Sequence, residues 1–174
     1  LILLSIVLSP VIAQAETHDI TFPLQIIAQF RNDFGEPRAG HSHKGIDIIV
    51  PKMTPIISAS DGVVRYLPQS EPTWGYEISI EGDDGYRYKY LHINNDTPGT
   101  DDNAGGTANA YAPGLTEGAR VTRGQHIGWV GDSGNAENVG AHLHFEMYSP
   151  SGLINPYESL LSAYVSFLAS ASTT

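Results

Sequence analysis

The feature that most constrains this chain is a series of short Ile- and Val-rich segments, separated by turn residues, from about Pro23 onward. β-Branched and aromatic residues favour strands, whereas Gly, Pro, Asn and Asp interrupt them. The 18 Gly and 11 Pro among 174 residues exceed average usage and indicate many turns. The pattern therefore predicts an all-β fold. Only Pro156–Leu168 has helical spacing, and its expected apolar stripe is Leu160, Leu161, Tyr164 and Leu168.

Two of the predicted strands, Tyr76–Glu81 and Tyr86–Ile93, are expected to form a hairpin. Gly82-Asp83-Asp84-Gly85 predicts a hairpin, because Asp-Gly steps tolerate positive φ. In the second strand of that hairpin, alternation places Tyr86, Tyr88, Tyr90 and His92 on one face. The strand segments are Ile46–Val50, Pro55–Tyr66 with a break at Asp61-Gly62, Tyr76–Glu81, Tyr86–Ile93, Val121–Val130 and Ala141–Met147.

Charge and cysteine content exclude several classes of function. The net charge of −10 argues against nucleic acid as a partner, since polyanions bind basic surfaces. The absence of Cys excludes disulfides, thiolate nucleophiles and every Cys-containing zinc site. A metal site in this chain would therefore use His and carboxylate ligands. The length of 174 residues suits a single domain.

Residues 1–15 predict an export signal. They form an uncharged, apolar run that ends in Ala13-Gln14-Ala15, which is typical of a secretory signal peptide cut before Glu16. The run has neither Met nor a basic region at its start, so we expect this signal to be truncated. No later segment is apolar and long enough to predict a membrane span.

Residues 94–118 differ in composition from the rest of the chain. The segment contains four acidic residues, no Lys or Arg, and many Gly, Pro, Thr and Asn. This composition predicts a long acidic surface loop. Asp101-Asp102-Asn103 could bind calcium, but the spacing of an EF-hand is absent, so a solvated loop is favoured.

Three short motifs contain residues that could bind a metal or take part in catalysis. His142 and His144 alternate with core residues, so both side chains project from one face of a strand. His43 and Asp47 can converge if the chain turns at Gly45. The third motif, Tyr90-Leu91-His92, ends the tyrosine-rich strand. Each motif alone is also compatible with a purely structural role.

In this order, the three motifs resemble the lysostaphin/LytM-type zinc metallopeptidases, which cut peptide cross-links in bacterial cell walls. The resemblance extends over about residues 24–160 and includes Asp33–Arg38 and Gly131–Gly134. It implies an antiparallel, barrel-like β-sandwich with a short C-terminal helix. It also implies an extension at 16–23, a peptidase domain at 24–165 with the acidic loop inserted at 94–118, and a tail at 166–174.

The resemblance also implies the parts that the site residues play. It makes His43, Asp47 and His144 the Zn²⁺ ligands, and His92 and His142 the catalytic pair, without assigning which histidine acts as base. Three nitrogen and oxygen ligands leave one position of a catalytic zinc open for water.

The resemblance leaves several functional alternatives open. The implied substrates are peptidoglycan peptides, with D-alanyl–diaminopimelate bonds first and glycyl-glycine bridges second. The alternative is a non-catalytic LytM-like binding module that activates another cell-wall hydrolase. A trypsin-like enzyme, suggested by Gly131-Asp132-Ser133-Gly134, is disfavoured because Asn135 follows and Cys is absent. A monomer in the periplasm or cell envelope is expected, with a regulatory envelope protein as a possible partner.

Overall fold

The computed structural model describes residues 17–172, so the predicted signal peptide lies outside the described residues. The described chain contains eleven strands and two α-helices. The helices are α1 (Gly106–Ala110) and α2 (Tyr157–Ala171). The strands are β1 (Pro37–Arg38), β2 (His41–Ser42), β3 (Ile46–Ile49), β4 (Pro55–Ile57), β5 (Gly62–Tyr66), β6 (Tyr76–Gly82), β7 (Arg87–Ile93), β8 (Arg120–Val121), β9 (His126–Trp129), β10 (His142–Ser149) and β11 (Gly152–Ile154).

A seven-stranded antiparallel sheet forms the centre of the fold. Its order is β11-β10-β7-β6-β5-β8, and β3 also pairs with β10. The strands β4 and β9 form a second, two-stranded sheet, and β1 pairs with β2 in a short hairpin. The predicted all-β, antiparallel fold with a C-terminal helix is confirmed, as is the hairpin between β6 and β7.

The core lies on one face of the large sheet. Alternation along β6, β7 and β10 sends apolar and tyrosine side chains inward, where each large apolar side chain contributes roughly 1.5–3 kcal/mol by its burial. The hydroxyl of Tyr90 accepts a hydrogen bond from the backbone N–H of Ala59, which satisfies its polar group in the core. The fully buried side chains of these three strands include Ile78, Ile80, Tyr88, Tyr90, Leu143, Phe145 and Met147.

Part of the segment expected to be an N-terminal extension belongs to this core. Ile20 and Phe22 are buried, and the backbone N–H of Thr21 donates to the carbonyl of Ala59. The ring of Phe22 lies 4.7 Å from that of Tyr164 on α2. The N-terminal segment and the C-terminal helix therefore pack together.

The helix α2 differs from its prediction in length and in its buried stripe. It continues to Ala171, across the boundary expected at residue 165. Leu161, expected to face the core, is exposed, whereas Leu160 and Ala163 are buried and Phe167 packs against the core. Leu160 and Tyr164 face the core as predicted, whereas Ala163 and Phe167 take the inward positions expected for Leu161 and Leu168. No helix among residues 17–172 is long and apolar enough to span a membrane.

The segment 94–118 is not a solvated loop throughout. Asn94, Asn95 and Asp96 are buried at its start, and Tyr111 is buried after the short helix α1. The hydroxyl of Tyr111 donates to the carbonyl of Pro68 at 2.7 Å. The exposed residues lie between these anchors and again over 113–118, so these two parts of the segment fit the expectation and the anchors do not.

Candidate functional site

Three polar side chains follow one another along the face of β10 that points away from the core. His142, His144 and Glu146 occupy alternate positions and are each buried, while Leu143 and Phe145 enter the core from the opposite face. Asp47 on β3 lies directly opposite His144 in the antiparallel register. Directly opposed residues point to the same side of a sheet, so β3 delivers its carboxylate to the histidines.

His43 reaches the same place from the turn that precedes β3. Gly45 in this turn lies so close to β10 that a Cβ atom there would be 2.4 Å from the carbonyl oxygen of Phe145. The same Cβ would be 2.8 Å from Nε2 of His144. The turn at Gly45 that the sequence predicted therefore depends on the absence of a side chain.

Ligand-type atoms of the three residues predicted to bind metal converge. His43 Nε2 lies 3.0 Å from Asp47 Oδ1 and 3.0 Å from His144 Nδ1, and the last two atoms are 2.9 Å apart. Ligands about 2.0–2.1 Å from a tetrahedral zinc are about 3.3 Å from one another. A small outward movement of these side chains would accommodate the ion, so the donor set fits zinc.

Each histidine of the cluster has its second ring nitrogen bound to an acceptor. His43 Nδ1 donates to the carbonyl oxygen of Asp33 at 3.0 Å, and His144 Nε2 donates to Glu146 Oε1 at 3.2 Å. Because carbonyl and carboxylate oxygens only accept, these nitrogens carry the protons. His43 Nε2 and His144 Nδ1 face the cluster, and with a cation bound there these two atoms would be unprotonated and turn their lone pairs to it, as metal-binding histidines do.

The charges of the cluster are strongly coupled. Burial raises the pKa of Asp47, but hydrogen bonds with His144 and His43 outweigh burial and hold that pKa well below its usual range. Burial lowers the pKa of His144, but its bonds with Asp47 and Glu146 outweigh burial and raise the pKa to about 9. Without a cation, His144 is therefore protonated at neutral pH and supplies the positive charge that the carboxylates require.

His92 joins the site through a break in the strand, and the predicted alternation is wrong at this residue. Two residues of β7, Leu91 and His92, occupy the space opposite Glu77 on β6, because the register shifts by one between Tyr76 and Ile78. His92 has a φ of 57°, in the left-handed region that few residues other than Gly adopt. This bulge turns the imidazole away from the buried tyrosines and into the cleft.

His92 and His142 present equivalent ring atoms to the cleft. His92 Nδ1 donates to the carbonyl of Ser133 at 2.9 Å, and His142 Nδ1 donates to the carbonyl of Gly140 at 2.8 Å. Both rings therefore have Nε2 available, and their centroids are 5.0 Å apart. His142 Nε2 lies 3.7 Å from Asp47 Oδ1, outside the closely packed cluster. Burial lowers the pKa of His92 to about 3, which keeps its imidazole neutral.

Two residues contribute to the site without having been assigned a role from sequence. Arg38 Nη2 donates to Asp47 Oδ2 at 2.9 Å and thereby holds the oxygen that faces away from the histidines. Glu146 orients His144, and the hydroxyl of Tyr148 donates to Glu146 Oε2 at 2.7 Å. Alternation from His142 and His144 could have found Glu146. No local pattern could have found Arg38, because it reaches Asp47 only through the way the β1–β2 hairpin folds.

The site lies at the bottom of an open cleft of about 470 Å³. Trp74 and Leu91 line the cleft beside the histidines, and Val139 on its rim is 74% exposed. His41 also lines the cleft, but it lies outside the ligand cluster and its Nδ1 donates to the carbonyl of Ala39. The cleft thus combines apolar side chains with the polar cluster at its floor, as ligand-binding clefts do.

Ser133 is a structural residue. Its side chain is fully buried, donates to the carbonyl of Ile93 at 2.6 Å and accepts the backbone N–H of Tyr76 at 3.0 Å. The hydroxyl is thus committed to two backbone groups, and no histidine of residues 17–172 bonds to it. The segment Gly131–Gly134 supports His92 through its backbone instead.

A second group of carboxylates is neutralised by a lysine. Asp96, Asp101 and Asp132 lie close enough to share a cation. The ammonium of Lys52 is 2.6 Å from Asp96, 2.6 Å from Asp101 and 2.9 Å from Asp132. This ion-pair network links the segment 94–118 to the turn that follows β3.

Comparisons with known proteins agree with this geometry. The family model described as Peptidase family M23 matches residues 41–156. The peptidoglycan DD-endopeptidase ShyC of Vibrio cholerae is 32% identical over 105 residues, which cover 60% of this chain and 20% of ShyC. The glycyl-glycine endopeptidase ALE-1 of Staphylococcus capitis is 28% identical over 113 residues, which cover 64% of this chain and 26% of ALE-1.

A solved structure gives the same result. The catalytic domain of lysostaphin from Staphylococcus simulans superposes with a TM-score of 0.59 and 25% identity, over 76% of this chain and 92% of that domain. The chain spans only about a fifth of the length of its curated relatives such as ShyC. The family match covers more than half of the chain and includes every residue of the cluster. The chain therefore belongs to peptidase family M23.

Proposed function

We propose that this chain is a zinc-dependent endopeptidase that hydrolyses peptide cross-links of bacterial peptidoglycan. The observation that carries the proposal is the convergence of His43 Nε2, Asp47 Oδ1 and His144 Nδ1 within 3.0 Å at the floor of an open cleft. Relatives named as peptidoglycan endopeptidases support the reaction class. Bound zinc would supply a Lewis acid that polarises the scissile carbonyl and makes water acidic.

The residues around this zinc position divide into two groups. His43, Asp47 and His144 would hold the ion, which leaves a position open for reactants because no fourth ligand joins the cluster in the described chain. His92 and His142 stay outside, each with Nδ1 bonded to a backbone carbonyl and Nε2 directed into the cleft. One ring can accept the proton of the attacking water, and the other can donate a hydrogen bond to the developing oxyanion after protonation.

The bond proposed first is D-alanyl–diaminopimelate, and glycyl-glycine is the second choice. Relatives with both types of name are similar to this chain, since ShyC is a DD-endopeptidase and ALE-1 a glycyl-glycine endopeptidase. Incubation of the zinc-loaded chain with cell walls of each type, followed by mass spectrometry of the released muropeptides, identifies the cleaved bond. Release of new amino groups at diaminopimelate supports the first choice.

The competing proposal is a non-catalytic module that binds peptidoglycan and activates another hydrolase. All five site positions carry residues suited to catalysis, which favours the enzyme. A folded, zinc-loaded preparation that binds both types of wall and releases nothing would support the module instead. The predicted leader at 1–15 and the substrate both place the proposed activity in the periplasm or cell envelope. A monomer and a regulatory envelope partner remain part of the proposal.

A further inference from the structure

The cleft continues beyond the metal cluster across the outward face of the large sheet. A second groove lies over β5, β6, β7 and β10, and Trp74 lines both it and the first cleft. Glu146, in the first cleft, is directly opposite Lys89, in the second. The two grooves therefore form one continuous path along the strands, away from the histidines.

Positive charge is concentrated along this path. The two grooves are lined by five of the nine Lys and Arg residues, but by only four of the 19 Asp and Glu residues. The rest of the chain is therefore strongly acidic, while the path carries a small positive excess. Such a distribution attracts anionic ligands to the path and repels them from other surfaces.

Two cations on this path, Lys44 and Arg87, form no ion pair within residues 17–172. Lys44 directly follows His43, whereas Arg87 lies away from the histidines. Lys89 is occupied by the buried carboxylate of Glu77 at 2.8 Å, and Arg65 is occupied by Glu81 at 2.6 Å. Glu81 is directly opposite Arg87 on β6, yet no carboxylate of residues 17–172 lies within 4.0 Å of the Arg87 guanidinium. The side chain of Arg87 is exposed.

The guanidinium of Arg87 is held in place without being neutralised. Its Cζ lies 4.5 Å from the centre of the Tyr148 ring, in a cation–π contact. The Tyr148 hydroxyl is anchored in turn by Glu146. A guanidinium fixed through its face keeps its N–H edge available, and that edge binds carboxylates in a bidentate manner.

The position of Arg87 sets its distance from the reaction centre. It lies opposite Tyr148, four residues along β10 from His144. At about 3.4 Å per residue, this separation is about 13–14 Å. An extended peptide covers that length with about four residues.

We propose that Arg87 is a carboxylate-binding subsite, which selects peptides that carry a free carboxylate about four residues from the scissile bond. This inference rests on the proposed function and adds the substrate class, an anionic peptide. It favours cross-links rich in carboxylates, such as those of diaminopimelate, over neutral glycine bridges.

The test uses two cross-linked peptide dimers that differ only in their carboxylates, free in one and amidated in the other. The zinc-loaded chain should cleave the free form with a kcat/KM about tenfold or more above that of the amidated form. Arg87→Gln should remove the preference through KM, and Arg87→Lys should restore part of it. Arg120→Gln removes the same charge outside the path, next to Asp83, and should change nothing.

Equal cleavage of both dimers by the unaltered chain, or an unchanged preference in Arg87→Gln, would overturn the subsite. Titration of the cleaved peptides separates this inference from the proposed function, because it needs no catalysis. If neither dimer is cleaved, the endopeptidase proposal fails. The subsite still stands if the free-carboxylate peptide binds more weakly to Arg87→Gln than to the unaltered chain, and fails if both bind equally.

Discussion

Glu146 Oε1 lies 3.2 Å from Nε2 of His144, two residues away on the same face of β10. The contact commits the Nε2 proton of His144 and directs Nδ1 to His43 and Asp47. A carboxylate behind a ligating histidine fixes the ring orientation and increases its basicity. Glu146 therefore supports the ligand cluster without being a ligand itself.

Replacement of Glu146 tests this arrangement. Glu146→Gln keeps the size of the side chain but removes its charge, so we expect zinc to bind roughly tenfold more weakly. Competition with a chromophoric chelator measures the affinity. Glu81→Gln, which alters an exposed carboxylate on β6, should leave the affinity unchanged. A Glu146→Gln affinity within twofold of the original would show that the contact does not orient His144.

Gly45 provides a steric test of the turn before β3. In Gly45→Ala the new methyl group would meet the Phe145 carbonyl at 2.4 Å, so β3 and β10 must separate. We expect the variant to lose zinc affinity by tenfold or more and to melt at a lower temperature. Calorimetry with and without zinc measures both effects. An unchanged zinc affinity in this variant would show that the turn accommodates a methyl group, which the close approach of the Phe145 carbonyl does not allow.

Lys52 should be important for stability because it neutralises two buried carboxylates. Lys52→Met leaves Asp96 and Asp132 without their cation, and removing one partner of a buried pair costs roughly 3–5 kcal/mol. Because Lys52 is partly exposed, we expect a loss near about 3 kcal/mol in urea unfolding. Arg65→Gln, which breaks an exposed pair, should cost less than about 1 kcal/mol. Equal losses of unfolding free energy in Lys52→Met and Arg65→Gln would contradict a stabilising role for the Lys52 network.

Phe22 tests whether residues 20–22 belong to the folded domain. Its side chain is 2% exposed and packs against Tyr164 of α2. Phe22→Ala should lower the free energy of unfolding by roughly 3–5 kcal/mol. Ile27→Ala, at a position that is 77% exposed, should change it by less than about 0.5 kcal/mol. A mild effect at Phe22 would place this segment outside the domain.

Local patterns predicted much of the fold and the residues of the cluster. Alternation on β10 placed His142 and His144 together, and Gly45 marked the turn between His43 and Asp47. The identity of all five site residues, however, came from the resemblance to a known family. Their spacing in the chain alone left structural roles open.

The failures have physical causes that lie outside local sequence. Regular alternation grouped His92 with Tyr88 and Tyr90, but a bulge with positive φ turns it to the other face. That bulge depends on the pairing of β6 with β7. Composition predicted a solvated loop at 94–118, whereas burial of Asp96 depends on Lys52 from a distant turn. Long-range contacts decided both cases.

The most direct test of the account compares zinc content with peptidoglycan hydrolysis in two variants. His144→Ala removes a member of the ligand cluster, so it should lose both the bound zinc and the activity. His142→Ala removes a ring outside the cluster, so it should retain about one zinc per chain. Its hydrolysis should fall by roughly 10²–10⁴-fold, as for loss of a proton-transfer group. Elemental analysis with release of soluble muropeptides gives both values. Loss of zinc in His142→Ala, or full activity in His144→Ala, would contradict the division of the five residues into three ligands and a catalytic pair.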